Sequence, residues 1–212
     1  MSNIEKILNY FDELITNPKC ELEYNKPYEL VIAVMLSAQT TDKRVNIVTK
    51  ELFKKYKSLE ELKTANIKDV ESIIKSLGNY TKKSKAIIDI ATILVDKYNG
   101  KVPNKRTDLE FLPMIGRKTT NVILSEIYNI PNIAVDTHVE RISKRLYLAK
   151  DSDNVLQVEQ KLKRKIPRDR WNKFHHQAVL FGRYYCKAIN PSCNTCKLKN
   201  DCKRGKNANR DK

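Results

Sequence analysis

Four cysteines, Cys186-x6-Cys193-x2-Cys196-x5-Cys202, fall within a seventeen-residue stretch near the end of this 212-residue chain. This crowding limits the fold more than any other feature. Thiols so close together cannot staple distant parts of a domain of this size, but they can close around one metal centre. A zinc ribbon carries two CxxC pairs separated by a longer span, and a zinc finger brings histidines at its far end. A single CxxC between two lone cysteines fits four-cysteine ligation of an iron–sulfur cluster better. Zinc and disulfides are the alternatives that the spacing leaves open. Cys20, far away in sequence, reads as a free buried thiol acting as a small hydrophobe.

The charge balance points to a partner. Lys and Arg number 41 against 25 Asp and Glu, a net charge of +16. A polyanion is the natural counterpart, with nucleic acid ahead of a membrane. The N-terminal stretch MSNIEKILNYFDELI is amphipathic and has no basic region followed by an apolar core, so no signal peptide is predicted. No segment is long and apolar enough to span a bilayer. Together with thiols held for a metal, this predicts a reducing, intracellular location.

The hydrophobic pattern is helical throughout. Ile4, Ile7, Leu8, Phe11, Leu14 and Ile15 form one stripe, and Val45, Val48, Leu52 and Tyr56 form another. Tyr28 to Ala38 is apolar nearly all round and reads as a buried central helix. Ser58 with Glu61, Thr107 with Glu110, and Thr137 with Glu140 are candidate capping boxes. The stripe Ile67 to Leu77 is predicted to end at Gly78, and Ile87 to Tyr98 at Gly100. Further helices are predicted at 117–128, 137–147, 154–165 and 170–181, the last ending at Gly182. From Lys203 on, KRGKNANRDK reads as a frayed basic tail.

Two segments carry the chemistry. Leu112-Pro113-Met114-Ile115-Gly116-Arg117-Lys118 joins two helices through a tight turn. Its backbone amides and the following helix start can hold a phosphate. An ordinary helix connection is the plain alternative. Eighteen residues after Lys118, Asp136 lies in Ile133-Ala134-Val135-Asp136-Thr137-His138. A lysine beside a carboxylate in a cleft is a nucleophile with an electrostatic partner. The plain reading of Asp136 is a helix N-cap, and His138 beside it reads as structural.

LPMIGRKTTNVILSE, IAVDTHVERISKRL and FHHQAVLFGRYYC with the four cysteines, together with MLSAQTTDKRVN and KVPNKRTDLEFLP, resemble endonuclease III. That family consists of DNA glycosylase/AP lyases of the helix-hairpin-helix superfamily. The resemblance covers nearly the whole chain. It implies an all-α fold in two helical lobes with a cleft between them. One lobe is a six-helix barrel over 20–130 containing the hairpin. The other combines 1–19 with 131–212 and holds a [4Fe–4S] cluster on Cys186, Cys193, Cys196 and Cys202. It further implies that Lys118 is the nucleophile and Asp136 the catalytic aspartate. The implied substrate is double-stranded DNA with damaged pyrimidines or abasic sites, acted on by a monomer in the cytoplasm or nucleoid. Gln39 sits where the family fills the space left by a flipped base, and Pro113, Met114, Ile115, Gly116 and Arg117 where it holds the DNA backbone. Lys118 argues against the adenine-mismatch branch of the superfamily, which lacks that lysine.

The chain departs from the family at two places. The hairpin is normally Leu-Pro-Gly-x-Gly, and Met114 replaces the first glycine. Either that position needs no left-handed backbone, or the hairpin is altered. After Gly78, where the family usually carries a wedging leucine, Asn79 or Tyr80 takes the place.

Overall fold

A computed structural model describes residues 3–208 of the chain. Every regular element among them is helical, and no strand forms. The chain divides into two compact units: Cys20–Tyr128, and Met1–Lys19 with Asn129–Lys212. No helix among the described residues is long and apolar enough to cross a membrane.

Helix α1 (Asn3–Leu14) opens the chain and belongs to the second unit. In the first unit, α2 (Pro27–Leu36) is the central element, with Tyr28 to Leu36 all buried. Pro27 occupies its first position, where no N–H is needed. The Glu29 carboxylate accepts from the Asn25 and Lys26 amides at 2.7 and 3.2 Å, supplying two donors with a partner. The helices α3 (Asp42–Lys55), α4 (Leu59–Lys63), α5 (Ile67–Ile74) and α6 (Tyr80–Tyr98) follow. The helices α7 (Arg106–Glu110) and α8 (Arg117–Tyr128) complete the unit. Helices α4 and α5 lie along α6, and α2 packs on α3, α6 and α8.

The second unit adds α9 (Thr137–Arg145), α10 (Val155–Lys165), α11 (Trp171–Leu180) and α12 (Lys203–Ala208). Its core joins both chain ends. Phe11 of α1 lies 5.9 Å from Phe174 and 5.0 Å from Phe181, ring centre to ring centre. Asp12 accepts from Arg170 through both oxygens at 2.8 Å, from Gln177 at 2.9 Å, and pairs with Lys173 at 2.7 Å. Burial pulls the Asp12 carboxyl upward, but Lys173, Gln177 and Arg170 outweigh it and hold the group below the usual carboxylate range.

Several boundaries differ from the sequence reading. The stripe from Ile67 stops as a helix at Ile74, and the left-handed residue beyond it is Asn79 (φ 57°), not Gly78. Asparagine tolerates that region because its short side chain bonds locally. Ser58 does accept from the Glu61 amide, but the Glu61 carboxylate reaches the Lys57 amide instead of closing the box. Thr107 lies inside α7, and Glu110 pairs with Arg106 at 2.9 Å. Thr137 is likewise inside α9, capped by Asp136, with Glu140 paired to Lys144. Helix α11 does not stop at Gly182 but runs into a π-helical turn, Phe181–Tyr185. Residues Lys203–Ala208 are helical where a tail was predicted, and Lys203 is tied to Asp151 at 2.7 Å. The last four positions of that predicted tail lie outside the described residues.

Candidate active site and cluster loop

The hairpin between α7 and α8 forms from Leu112 to Gly116. Leu112 and Ile115 are buried and anchor it, and the Ile115 amide closes the turn on the Leu112 carbonyl at 3.1 Å. Met114 stands between them with φ 60°, half-exposed. The position therefore does require a left-handed backbone, and methionine accepts it at a cost of about 1–2 kcal/mol. Gly116 is exposed, and a Cβ added there would meet nothing. Its carbonyl accepts from the Thr120 amide, so α8 begins at once. The first turn of α8 carries Arg117 and Lys118 and no acidic residue. Two cations at the positive end of a helix are unfavourable by themselves; an anion reverses the sign.

Lys118 is the second residue of α8, exposed, in the first unit. Asp136 belongs to the second unit. It is the N-cap of α9, half-buried, with its Oδ1 accepting from the Val139 amide at 2.8 Å. One carboxylate oxygen thus serves the helix. His138 is the second residue of α9, with its ring nitrogen 3.2 Å from the Arg141 guanidinium. Gln39 is exposed in the turn after α2, with φ 58°. Asn79 is exposed and Tyr80 half-buried at the head of α6. Gln39, Asn79 and Met114 thus share an uncommon left-handed backbone, as do Asn99, Asn129, Tyr147 and Asn190.

The four C-terminal cysteines are brought into one loop, and all are free thiols. Cys186 follows the π turn, and its own amide donates to the Phe181 carbonyl at 2.7 Å. Two arginines of α9 hold this end. Arg141 donates to the Gly182 carbonyl at 2.7 Å, and Arg145 to the Lys187 carbonyl at 2.7 Å and the Cys186 sulfur at 3.2 Å. At the other end the Gly205 amide donates to the Cys202 sulfur at 3.2 Å. Gly205 has no room for a side chain: a Cβ would stand 1.9 Å from the Lys199 carbonyl oxygen. A Cβ added at Gly182 would likewise stand 2.9 Å from the Cβ of His138. Burial pushes the Cys186 thiol up, against the pull of Arg145. Burial raises Cys196 too, against hydrogen bonds from Leu198 and Tyr10. Among the described residues no three His, Cys, Asp or Glu side chains are drawn in around a single metal ion. The N–H···S bonds at Cys186 and Cys202 are surroundings of the kind a cluster uses. Of the lysines that flank them, Lys197 is paired with Glu13 and Lys203 with Asp151. Cys20, by contrast, is a thiol that burial pushes up to about 12, an inert group.

Three features escaped the sequence reading. The Arg141 and Arg145 clamps sit four residues apart on the face of α9 opposite its apolar stripe, and nothing in the sequence said what they would meet. Gly205 looked like part of a tail. Lys83 is buried, 2% exposed, and burial holds its ammonium below the usual lysine range. Its spacing to Ile87, Ile90 and Leu94 put it on the apolar stripe of α6, which was the available signal.

The HhH-GPD superfamily base excision DNA repair profile matches residues 32–168. Endonuclease III of Bacillus subtilis (strain 168) is 44% identical over 205 residues, covering 97% of this chain and 94% of that protein. A non-covalent endonuclease III–DNA complex superposes with a TM-score of 0.94 at 43% identity, over 99% of both chains. A trapped endonuclease III–DNA covalent intermediate, an estranged-adenine complex, gives 0.93 at 43% identity over 98% of this chain and 99% of that one.

Proposed function

This chain belongs to the endonuclease III family of the HhH-GPD superfamily of base excision DNA repair proteins, and from that premise we propose that it removes oxidised pyrimidines and then cuts the strand through a lysine Schiff base. Two features of the hairpin carry the reading. Met114 holds the left-handed turn where the family has glycine, and Arg117 and Lys118 crowd a helix start that has no acidic residue. That arrangement favours a DNA phosphate against the amides of 116–118.

The damaged nucleotide is extruded from the stack, since its sugar is otherwise out of reach. Gln39 enters the space it leaves, and the Asn79–Tyr80 turn meets the opposite strand. The Lys118 amine attacks C1′ and forms a C–N bond while the C1′–base bond breaks and the base departs with the electron pair. The Asp136 carboxylate faces the positive charge that develops on the sugar. Its cap bond to Val139 fixes its orientation and leaves one oxygen for this task. The sugar ring opens to the Schiff base. Loss of a C2′ proton then expels the 3′ phosphate, so the strand is cut 3′ to the lesion. Hydrolysis returns the amine.

A [4Fe–4S] cluster would be held by Cys186, Cys193, Cys196 and Cys202, and would cross-link the loop to itself. The relatives' family, the free thiols and their N–H···S partners support this. The enzyme acts on duplex DNA as an intracellular monomer.

Borohydride trapping on an abasic-site duplex tests the reading. The parent protein forms a covalent adduct. Lys118→Gln forms none, yet keeps its DNA affinity, because one charge of many is lost and the hairpin amides are unchanged. An undiminished adduct in Lys118→Gln places the nucleophile elsewhere and refutes the assignment.

A further inference from the structure

Neither the hairpin nor the cluster loop accounts for Lys83. It is the one lysine among the buried charged side chains of the described residues. It has no ion-pair partner among them. Its Nζ donates to the Leu36 carbonyl at 3.0 Å and the Ala38 carbonyl at 2.9 Å. Those are carbonyls at and beyond the end of α2, where helices run out of internal donors. Around them, the Ser37 hydroxyl donates to the Val34 carbonyl at 2.8 Å and the Thr40 amide to the Ser37 carbonyl at 3.1 Å. The Ala38 carbonyl belongs to the peptide unit that leads into Gln39. Holding it fixes the plane from which Gln39 departs at φ 58°.

We infer that Lys83 is a positioning residue for Gln39: it clamps the backbone of residues 36–38 so that the glutamine is presented in its left-handed conformation. This rests on the proposal that Gln39 enters the duplex. The energetics favour it over a packing role. Desolvating an ammonium costs several kcal/mol, and a methionine would fill the same space without that cost. A lysine offers what methionine lacks: three donors on a long stem, and a positive charge at the negative end of a helix. The same side chain links two turns. Asn79 and Tyr80 lie one turn before Lys83 on α6, and the Lys83 amide donates to the Asn79 carbonyl at 3.0 Å. The turn bearing Gln39 is therefore held from the helix whose head carries the second expected duplex contact.

A double-mutant cycle tests this with Lys83→Met, Gln39→Ala and the pair. Single-turnover excision of thymine glycol is measured, with 2-aminopurine opposite the lesion reporting the unstacking that an inserted side chain causes. Lys83→Met should slow excision by about tenfold to a hundredfold, the cost of misplacing a positioning group by around an ångström, and suppress the fluorescence rise. In the Gln39→Ala background the same substitution should cost nothing further. Lys83→Gln, whose shorter amide keeps a donor, is run in the same cycle in case the methionine protein does not fold, and should show the same non-additivity with a smaller loss. Equal losses in both backgrounds, or no loss with Gln39 present, overturn the inference. If Gln39→Ala excises as fast as the parent while borohydride trapping persists, this inference falls and the lyase reading stands. If the parent does not trap, the lyase reading falls first.

Discussion

Met114→Gly is the perturbation whose outcome follows most directly from the backbone. At φ 60° an L side chain costs about 1–2 kcal/mol, and glycine escapes that penalty. Glycine in turn loses about 0.5–1 kcal/mol more backbone entropy on folding than alanine does. Glycine should therefore leave the protein roughly 0.5–1 kcal/mol more stable than alanine at this position. The side chain itself matters less, because Met114 is 46% exposed. A fully buried methionine is worth about 1.5–3 kcal/mol, so trimming this one costs about 1 kcal/mol. Met114→Ala should thus lose about that much, Met114→Gly should come out near neutral, and Met114→Val should be worst, since branching at Cβ aggravates the left-handed strain. Urea denaturation followed by far-UV circular dichroism measures the series. Alanine as stable as glycine, or valine as stable as alanine, would show that the hairpin backbone relaxes out of the left-handed region and would refute the reasoning.

Asp136→Asn should keep the fold, since asparagine caps as well as aspartate, but slow base removal by roughly 10²–10³-fold, the worth of one electrostatic contact to the transition state; near-normal single-turnover excision would reduce Asp136 to a cap. Gly205→Ala should yield protein depleted in iron and pale in colour, because a methyl group cannot share space with the Lys199 carbonyl oxygen 1.9 Å away; iron analysis and the visible spectrum decide, and zinc in place of iron in the parent would reject the cluster. Asp12 has a folded pKa below its unfolded value of about 3.9. Its stabilisation is therefore fully present above about pH 4 and is lost as pH falls through the lower folded value. The stability gap between the parent and Asp12→Asn should be constant from neutral pH down to about 4 and shrink below it; a gap that widened in acid would contradict the pairing with Lys173 and Arg170.

What the sequence disclosed followed the range of the forces involved. Periodic apolar stripes are local, so helices such as α2, α8 and α10 emerged near their observed positions. Helix ends depend on which side chain wins a given amide, and there local motifs misled: Thr107 and Thr137 looked like caps but lie one or more residues inside their helices. The hairpin and the cysteine loop could be recognised because both are short and contiguous. The Arg141 and Arg145 clamps could not, because their partners lie more than forty residues away. Lys83 escaped for the same reason, with its acceptors 45 and 47 residues distant. Met114 was legible as a departure, but whether the backbone would keep its left-handed turn depended on Leu112 and Ile115 being buried on either side.

Because one unit is assembled from both ends of the chain, order of synthesis becomes a constraint on folding. As the chain leaves the ribosome, Ile7, Leu8 and Phe11 of α1 stay uncovered until their partners Phe174 and Phe181 are made far downstream. At roughly 5–20 residues per second, that apolar face waits on the order of ten to forty seconds. The continuous unit, Cys20–Tyr128, can condense in the meantime. The loop from Cys186 to Gly205 is made later still, after Phe181. A nascent chain caught in that interval would carry one finished unit and one unfinished one, and quality control would meet it in that state.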